Sequence, residues 1–474
     1  MHVGRIPSLT VLLFALLPSA AAVAGPVALS ESGEGSALIA PLWSVREGHD
    51  TLISIRNNGG LATAVKLRVI EADGVEVLSL NLYLGAQDTW VAALTDSGSD
   101  GLPDGRLITA DETCILPLPA RDESRVARLE LPALAHGNGY LEITEMGVST
   151  FTGPAGSIGS FWDRCETLSD RFETGTWASD PAETVGPPGG RLSALVHLIN
   201  VGVGGMVSPS VTALSGFSDV VQHSAPGSEV PDLSTAVTSN TASGLTESRV
   251  CGVDDCDVRA WNLPVEAVAS VLLADRLEAS YSAKPSIGAV TQFVYTRPLA
   301  RFESDADGGF AIDGDVRFAE RSRDADESTP GDCPPQPTIF PLHPGSDICG
   351  TRYFRDRWIL AVAALQFGQV EGAEPGFSLL GTTQPLRFDS LPGPFVSGEL
   401  QLHVDQDLGD EDRVLTSADG AQFPGDAIIG FAVQQFSNGT LVNPDGQSVR
   451  ATYRSEQELI RVRISEPVAA GAEE

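Results

Sequence analysis

The amino-acid sequence predicts an all-β protein with two or three immunoglobulin-like β-sandwich domains, one short helix and loops held by disulfides. Three observations predict this class. Glycine (49 residues) and proline (31 residues) are frequent in the 474-residue chain. The apolar runs are short, and apolar and polar residues alternate along many of them. Hydrophobic residues make up 42% of the chain and charged residues 20%, which is typical of a folded protein.

The clearest alternation lies between residues 36 and 95. Short apolar runs separated by turn residues predict strands over residues 36–44, 50–57, 62–71, 75–84 and 87–95. In the third of these, Val65, Leu67 and Val69 alternate with Lys66 and Arg68. This period of two predicts one face in the core and one face in water.

The remaining elements follow the same patterns. Asn262–Ser282 is the best helix candidate, because Pro264 stands near its start and apolar residues recur at helical spacing. Further alternating runs predict strands over residues 106–110, 139–146, 192–200, 207–214, 289–297, 358–366, 398–404, 427–436 and 459–464.

Composition divides the chain into segments. The predicted segments are a signal peptide (1–24), an N-terminal β-sandwich domain (25–177), a Pro/Gly linker (178–191), a second β domain with a short helix (192–302), an acidic, Pro-rich disulfide loop (303–350) and a C-terminal β domain (351–474).

The first 24 residues predict export. Arg5 precedes an apolar run, Leu9–Leu17, and Ala22-Val23-Ala24 supplies the small residues of a cleavage site before Gly25. No later apolar run approaches the about 20 residues needed to span a bilayer. The mature chain is therefore expected to begin at Gly25, to lack a transmembrane segment, and to be periplasmic, cell-surface or extracellular.

Six cysteines in an exported chain predict disulfides. Sequence proximity favours the pairs Cys114–Cys165, Cys251–Cys256 and Cys333–Cys349. A metal site is the alternative, but these spacings match no standard zinc ribbon.

Charge restricts the partners. The chain carries 63 acidic residues, 30 basic residues and a formal net charge of −33. This charge disfavours nucleic acid and anionic lipid, which carry the same sign. An unidentified protein or glycan is the expected partner.

No catalytic motif was found. The sequence holds no HExxH helix, nucleophile elbow, Walker loop or dinucleotide fingerprint. Asp96-Ser97-Gly98 resembles the aspartic-protease motif, but that chemistry needs two aspartates, and the nearest second match begins with Glu173. A turn-rich loop is the better interpretation, so no catalytic residue is assigned.

One acidic stretch follows the spacing of a calcium loop, with carboxylates at alternate positions and Gly308 at the sixth. Gly314 stands at the twelfth position, where calcium loops place a glutamate, so the alternative is a solvated acidic turn. Weaker versions occur at residues 96, 100 and 104 and at residues 405, 407 and 410. The candidate calcium ligands are Glu303, Asp305, Asp307, Asp313 and Asp315.

Tryptophans offer another candidate site. Trp90 and Trp358 lie in apolar strands and are expected in the core. Trp162 and Trp177 flank Cys165 in predicted loops, where aromatic rings could stack on a sugar.

Five segments resemble an uncharacterised family of exported proteobacterial proteins with immunoglobulin-like β domains. They are SALIAPLWSVREGHDTLISIRNN, LSLNLYLGAQDTWVAAL, GYLEITEMG, LEASYSAKPSIGAVTQFVYTRP and GFAVQQFSNG. The family has no established catalytic residues, so the resemblance implies no site. The sequence as a whole predicts a non-enzymatic structural or binding module of the cell surface, matrix or periplasm. A glycan- or protein-binding module and a secreted hydrolase are the alternatives.

Overall fold

The structure of the chain is a computed structural model. It describes residues 25–462, except 99–103, 151–164, 239–243, 253–254, 303–311, 320–346, 349–350, 359, 371, 375, 384, 389–395, 404–413 and 443–447. Strands dominate the described residues, which contain two α-helices, so the predicted all-β class is confirmed. The immunoglobulin-like topology remains a prediction.

The helices are short. They are α1 (Cys165–Glu173) and α2 (Pro264–Leu272), with 3-10 turns at Thr176–Ala178, Pro285–Ile287 and Ala300–Phe302. The strands of the first half are β1 (Ala28–Leu29), β2 (Ala37–Ser44), β3 (His49–Asn57), β4 (Thr63–Glu71), β5 (Glu76–Leu84), β6 (Thr89–Asp96), β7 (Gly105–Thr109), β8 (Cys114–Leu116), β9 (Ala127–Glu130), β10 (Asn138–Ser149), β11 (Val185–Gly186), β12 (Leu192–Asn200), β13 (Gly205–Val207), β14 (Thr212–Ser215), β15 (Thr246–Cys251) and β16 (Cys256–Trp261).

The second half is equally rich in strands. They are β17 (Leu273–Ala274), β18 (Arg276–Ser282), β19 (Val290–Thr296), β20 (Ile312–Ala319), β21 (Asp347–Ile348), β22 (Thr351–Trp358), β23 (Val362–Phe367), β24 (Leu386–Phe388), β25 (Ser397–His403), β26 (Val414–Thr416), β27 (Gln422–Pro424), β28 (Asp426–Ala427), β29 (Ile429–Val442), β30 (Ser448–Glu458) and β31 (Ile460–Val462).

Two antiparallel sheets form the first sandwich. One sheet has the order β1-β14-β2-β10-β4-β5-β8, with β11 beside β10, and the other has the order β13-β12-β3-β6-β7-β9. Alternate apolar residues of both sheets are buried between them, among them Leu67 and Leu141 from one sheet and Ile53 and Trp90 from the other. The alternation seen in the sequence therefore builds this core.

The expected domain boundary at 178–191 differs from the structure. Strand β12 pairs along its whole length with β3, and β14 pairs with β2, so residues 192–215 belong to the first sandwich. The Pro/Gly-rich stretch marks a connection within one unit. Local composition signals a turn, but it does not encode which distant strand the following segment will join.

The second half forms two further sheets. Strands β25-β18-β31 make one, and β24-β23-β19-β29-β30 make the other, in which only β23 and β24 pair in parallel. Aromatic side chains fill the space between them, including Tyr281, Phe293, Tyr295 and Phe367. Smaller sheets, β15-β16, β17-β28, β20-β22-β21 and β26-β27, lie outside these layers.

The predicted helix over Asn262–Ser282 is too long. Helix α2 ends at Leu272, and the segment Arg276–Ser282 is strand β18. In β18, Leu277, Ala279 and Tyr281 are buried in alternation, which is the period of a strand. The apolar residues of the helix are followed almost at once by those of the strand. The local pattern therefore did not show where the helix ends and the strand begins.

A third core joins the two halves. Ile39, Leu42 and Tyr140 from the outer face of the first sheet share one buried cluster with Val294 and Phe431 of the five-stranded sheet. The Tyr140 hydroxyl donates to the Pro298 carbonyl oxygen at 3.0 Å. The first sheet of the sandwich thus contributes residues to a core on each of its faces.

Within the described residues, no helix combines the length and the apolar character that a membrane span requires.

Candidate functional site

A cavity of about 390 Å³ lies where α2, the turn at 300–302 and the segment 414–427 meet. Its volume falls within the about 300–1,000 Å³ of small-molecule sites. The lining is mainly apolar and consists of Val265, Ala269, Leu273, Leu299, Phe302, Val414, Leu415 and Ala427, with Glu266, Asp426 and the backbone of Gly425 as the polar part.

Helix α2 positions one wall of the cavity. Pro264 occupies its first turn, and Glu266 Oε2 accepts the Leu263 amide at 2.9 Å, which fixes the helix start. Val268 and Leu272 are fully buried and belong to the third core, which joins the two halves. Val265 and Ala269 are half-buried and line the cavity.

The cavity is open to solvent on one side. Val414, which lines it, keeps 38% of its surface exposed, and Leu263 at the start of α2 keeps 55%. The deeper residues Leu273 and Leu299 are buried. An apolar group could therefore enter from the surface and displace water from an apolar wall.

Charged side chains of both signs lie at the cavity wall. Asp426 is paired with the buried Arg297. Asp275 lies behind Gly425, where an added Cβ would stand 2.9 Å from Asp275 Oδ1. Glu266 lines the cavity itself and is half-buried.

The other nearby cation is already compensated. Arg301 stacks over the ring of Phe302 at 4.6 Å from its centroid. Its Nη2 lies 2.8 Å from Glu142 Oε2 and 3.5 Å from Asp232 Oδ2. The Arg301 guanidinium is thus held by two carboxylates that do not line the cavity.

A buried polar cluster lies under the covering segment, which we define as residues 216–238. Lys66 Nζ donates to the Ala225 carbonyl at 3.2 Å, and Arg68 Nη2 donates to the Ser228 carbonyl at 3.1 Å. Lys66 is 0% exposed and Arg68 is 2% exposed. The expected water-facing side of β4 is therefore wrong, because the covering segment, distant in sequence, lies over it.

Burial changes the ionisation of this cluster. Desolvation, together with the smaller effect of the nearby Arg68 charge, lowers the pKa of Lys66 to about 7. Desolvation also raises the pKa of Glu142 to about 7, which the attraction of Arg301 partly opposes. These groups hold the covering segment to the sheet, and Glu142 links the turn at 300–302 to the first sandwich. Their contacts indicate a structural role.

Trp177 lies in a second buried cluster. It is 1% exposed, stacks on Tyr83 at 6.1 Å between ring centroids and meets His223 edge-on at 4.5 Å. The predicted sugar platform is therefore wrong for Trp177, because the ring faces are covered. Trp162 lies outside the described residues. Trp90 is fully buried, as predicted, and the side chain of Trp358 is outside the described part.

Two of the three disulfides expected from proximity lie within the described residues. The structure joins Cys114 to Cys165 and Cys251 to Cys256. The first ties α1 to β8 at the edge of the first sheet, and the second closes the β15–β16 hairpin. The remaining pair, Cys333 and Cys349, lies outside the described residues.

The predicted calcium loop is only partly described. Glu303, Asp305 and Asp307 lie outside the described residues, whereas Asp313 and Asp315 lie in strand β20. Their register partners on β22 are arginines, at positions 357 and 355. The described residues contain no group of three or more His, Cys, Asp or Glu side chains that could hold a metal ion. Calcium at 303–315 stays a prediction.

The protease-like motif forms a turn. The Gly98 amide donates to Asp96 Oδ1 at 3.1 Å, and the Ser97 amide donates to the Asp104 carbonyl at 2.7 Å. This is the turn-rich loop that the sequence favoured. The weaker acidic candidates extend outside the described residues at 100 and at 405–410.

No family model, curated protein or solved structure matches the chain. The resemblance to the exported family therefore remains a prediction. The cavity was not identified from the sequence. Its walls come from residues 265–273, 299–302 and 414–427, and none of these segments has by itself a pattern that indicates a binding site. Only the amphipathic start of α2 gave a local signal.

Proposed function

We propose that this protein is a non-enzymatic, exported binding module that takes an apolar group of its ligand into the cavity beside α2. The observation that carries the proposal is the cavity itself, which has a volume of about 390 Å³, a largely apolar lining and an open side. A cavity of this size and composition gains binding free energy by removing apolar surface from water.

Export is supported by two features. The N-terminal 24 residues have the pattern of a signal peptide. The two disulfides of the described residues are of the kind that forms in oxidising compartments. The cell surface, an extracellular matrix and the periplasm all fit this chemistry.

A protein partner is the second candidate. Val414, which lines the cavity, is partly exposed, and Leu263, next to the first turn of α2, is also exposed. A partner could insert one apolar side chain while its surface covers these two residues. The glycan-binding alternative has less support, since Trp177 is buried.

The test uses the full mature protein and the neutral fluorescent probe N-phenyl-1-naphthylamine. Binding should be saturable and should raise the fluorescence of the probe. Ala269→Phe fills the cavity from α2 and should abolish saturable binding. Ala86→Phe, which adds the same ring in an exposed turn, is the matched control and should leave binding unchanged.

Folding of the variants is checked by thermal melting. If Ala269→Phe melts much earlier than the wild type, Val414→Trp replaces it, because Val414 is partly exposed and tolerates a larger side chain. Absence of saturable binding to the wild type, or binding that survives in a folded cavity-filling variant, would overturn the proposal.

A further inference from the structure

We infer that two copies of this chain associate through the outer face of the six-stranded sheet β13-β12-β3-β6-β7-β9. We define the outer face as the side of this sheet that is turned away from the core of the first sandwich. None of its side chains lines the cavity beside α2, so the inference is independent of the proposed function.

Burial on this sheet is one-sided. Along β3 the side chains alternate between buried and accessible, and the accessible ones are Asp50, Leu52, Ser54 and Arg56. The first sheet of the sandwich, by contrast, contributes residues to a core on each of its faces. No buried cluster of the described residues includes a side chain of the outer face. The outer face therefore lacks a second layer in the described part of the chain.

Apolar side chains lie next to one another at the centre of the outer face. Leu195 of β12 and Val91 of β6 are both register partners of Ser54, one on each side of it. Leu52 lies two residues away along β3. Leu195, Val91 and Leu52 keep 62%, 49% and 37% of their surfaces exposed. Since neighbouring strands are about 4.8 Å apart, these three side chains form one patch, and a contiguous apolar patch indicates an interaction surface.

The charges of the outer face make it complementary to itself. Asp50 and Arg56 lie at opposite ends of the accessible side of β3, with Leu52 and Ser54 between them. Neither Asp50 nor Arg56 has an ion-pair partner within the described residues. A two-fold axis that crosses β3 between Leu52 and Ser54 places Asp50 opposite Arg56 of the partner subunit, and it does so twice in each dimer. Sheets that pack face to face are about 10 Å apart, which these two side chains together can span.

The local charge of the outer face favours a second copy as the occupant. The chain has a formal net charge of −33, so most of its surface repels another copy and also repels anionic lipid. The charged side chains of the outer face are three basic and two acidic residues, namely Arg56, Arg106, Arg128, Asp50 and Glu130. Two copies therefore meet the least repulsion where these faces approach each other.

Analytical ultracentrifugation of the full mature protein tests the association. It is carried out at physiological ionic strength, where charges more than about 8 Å apart are largely screened. The wild type should show a reversible monomer–dimer equilibrium without larger species, because a two-fold interface is closed. Leu195→Glu places a carboxylate in the apolar patch and should abolish the dimer. Leu118→Glu makes the same change at an exposed position outside the outer face, and it should leave the equilibrium unchanged.

A charge swap tests the two-fold pairing. Asp50→Arg alone and Arg56→Asp alone should each raise the dissociation constant of the dimer about ten-fold, because two ion pairs become two contacts between like charges. The double variant Asp50→Arg with Arg56→Asp should restore the affinity of the wild type, because opposite charges meet again. An effect of net charge would instead make Asp50→Arg strengthen the dimer and Arg56→Asp weaken it.

Folding of each variant is checked by thermal melting. If Leu195→Glu melts much earlier than the wild type, Leu195→Ser replaces it, since serine removes the apolar side chain without adding a charge. A wild type that sediments as a monomer at every concentration would overturn the inference. A dimer that survives in a folded Leu195 variant would place the interface elsewhere, and opposite effects of the two single charge variants would exclude the two-fold pairing.

Discussion

Replacing both Cys114 and Cys165 by alanine should lower the free energy of unfolding more than the same change at Cys251 and Cys256. The first disulfide spans 51 residues and the second spans 5. In the chain-entropy model these closures contribute about 4 and about 2 kcal/mol. The expected difference is therefore about 2 kcal/mol from loop closure alone.

Burial should add to this difference. Cys114 is 5% exposed and packs in the cluster that contains Leu168 and Trp177. Alanine removes sulfur contacts there, whereas Cys251 and Cys256 are exposed on their hairpin. The value of about 2 kcal/mol is thus a lower bound.

Urea unfolding of the oxidised mature protein measures the difference. Both double variants are compared with the wild type at one pH, with tryptophan fluorescence and circular dichroism as independent probes. Coincident transitions are required before free energies are extracted. Equal losses in the two variants, or a larger loss on removing Cys251–Cys256, would refute the reasoning from loop length and burial.

Three further predictions concern other parts of the molecule. Burial lowers the pKa of Lys66 from 10.5 to about 7, so between these pH values the unfolded chain binds more protons than the folded chain, and the free energy of unfolding should rise with pH. Lys66→Met should remove this rise when denaturation is measured as a function of pH. An unchanged dependence of the unfolding free energy on pH would contradict the prediction. Tyr83→Phe removes the 3.0 Å hydrogen bond between the Tyr83 hydroxyl and His223 Nε2. The free energy of unfolding, measured with urea, should fall by about 1 kcal/mol, and an unchanged value would contradict this prediction. Millimolar calcium should raise the melting temperature of the full chain, and a chelator should reverse the rise. The double change Asp305→Ala with Asp307→Ala should remove the rise. An equal rise with sodium chloride at matched ionic strength would show that the effect is charge screening and not calcium binding.

Local alternation predicted the strands well where one face enters a core. Strand β12 was predicted over residues 192–200 and is observed there, and the predictions for β3, β5 and β19 fall within two residues of the observed bounds. Two errors share one cause. Both predictions considered one segment alone. The covering segment buries the side of β4 that was expected to face water, and the pairing of β18 with β25 makes a strand of residues that were expected to continue α2.

Residue types and their local spacing were enough to predict the all-β class, many of the strands, two cysteine pairs and the turn at Asp96-Ser97-Gly98. These depend on residue type and on spacing over a few positions, which the backbone periods of strands and turns make readable. Tertiary structure decided the rest: the joining of 192–215 to the first sandwich, the burial of Lys66 and Arg68, and the cavity beside α2. Each arises where segments far apart in the chain meet, so its apolar, charged or empty character depends on a neighbour that no local pattern specifies.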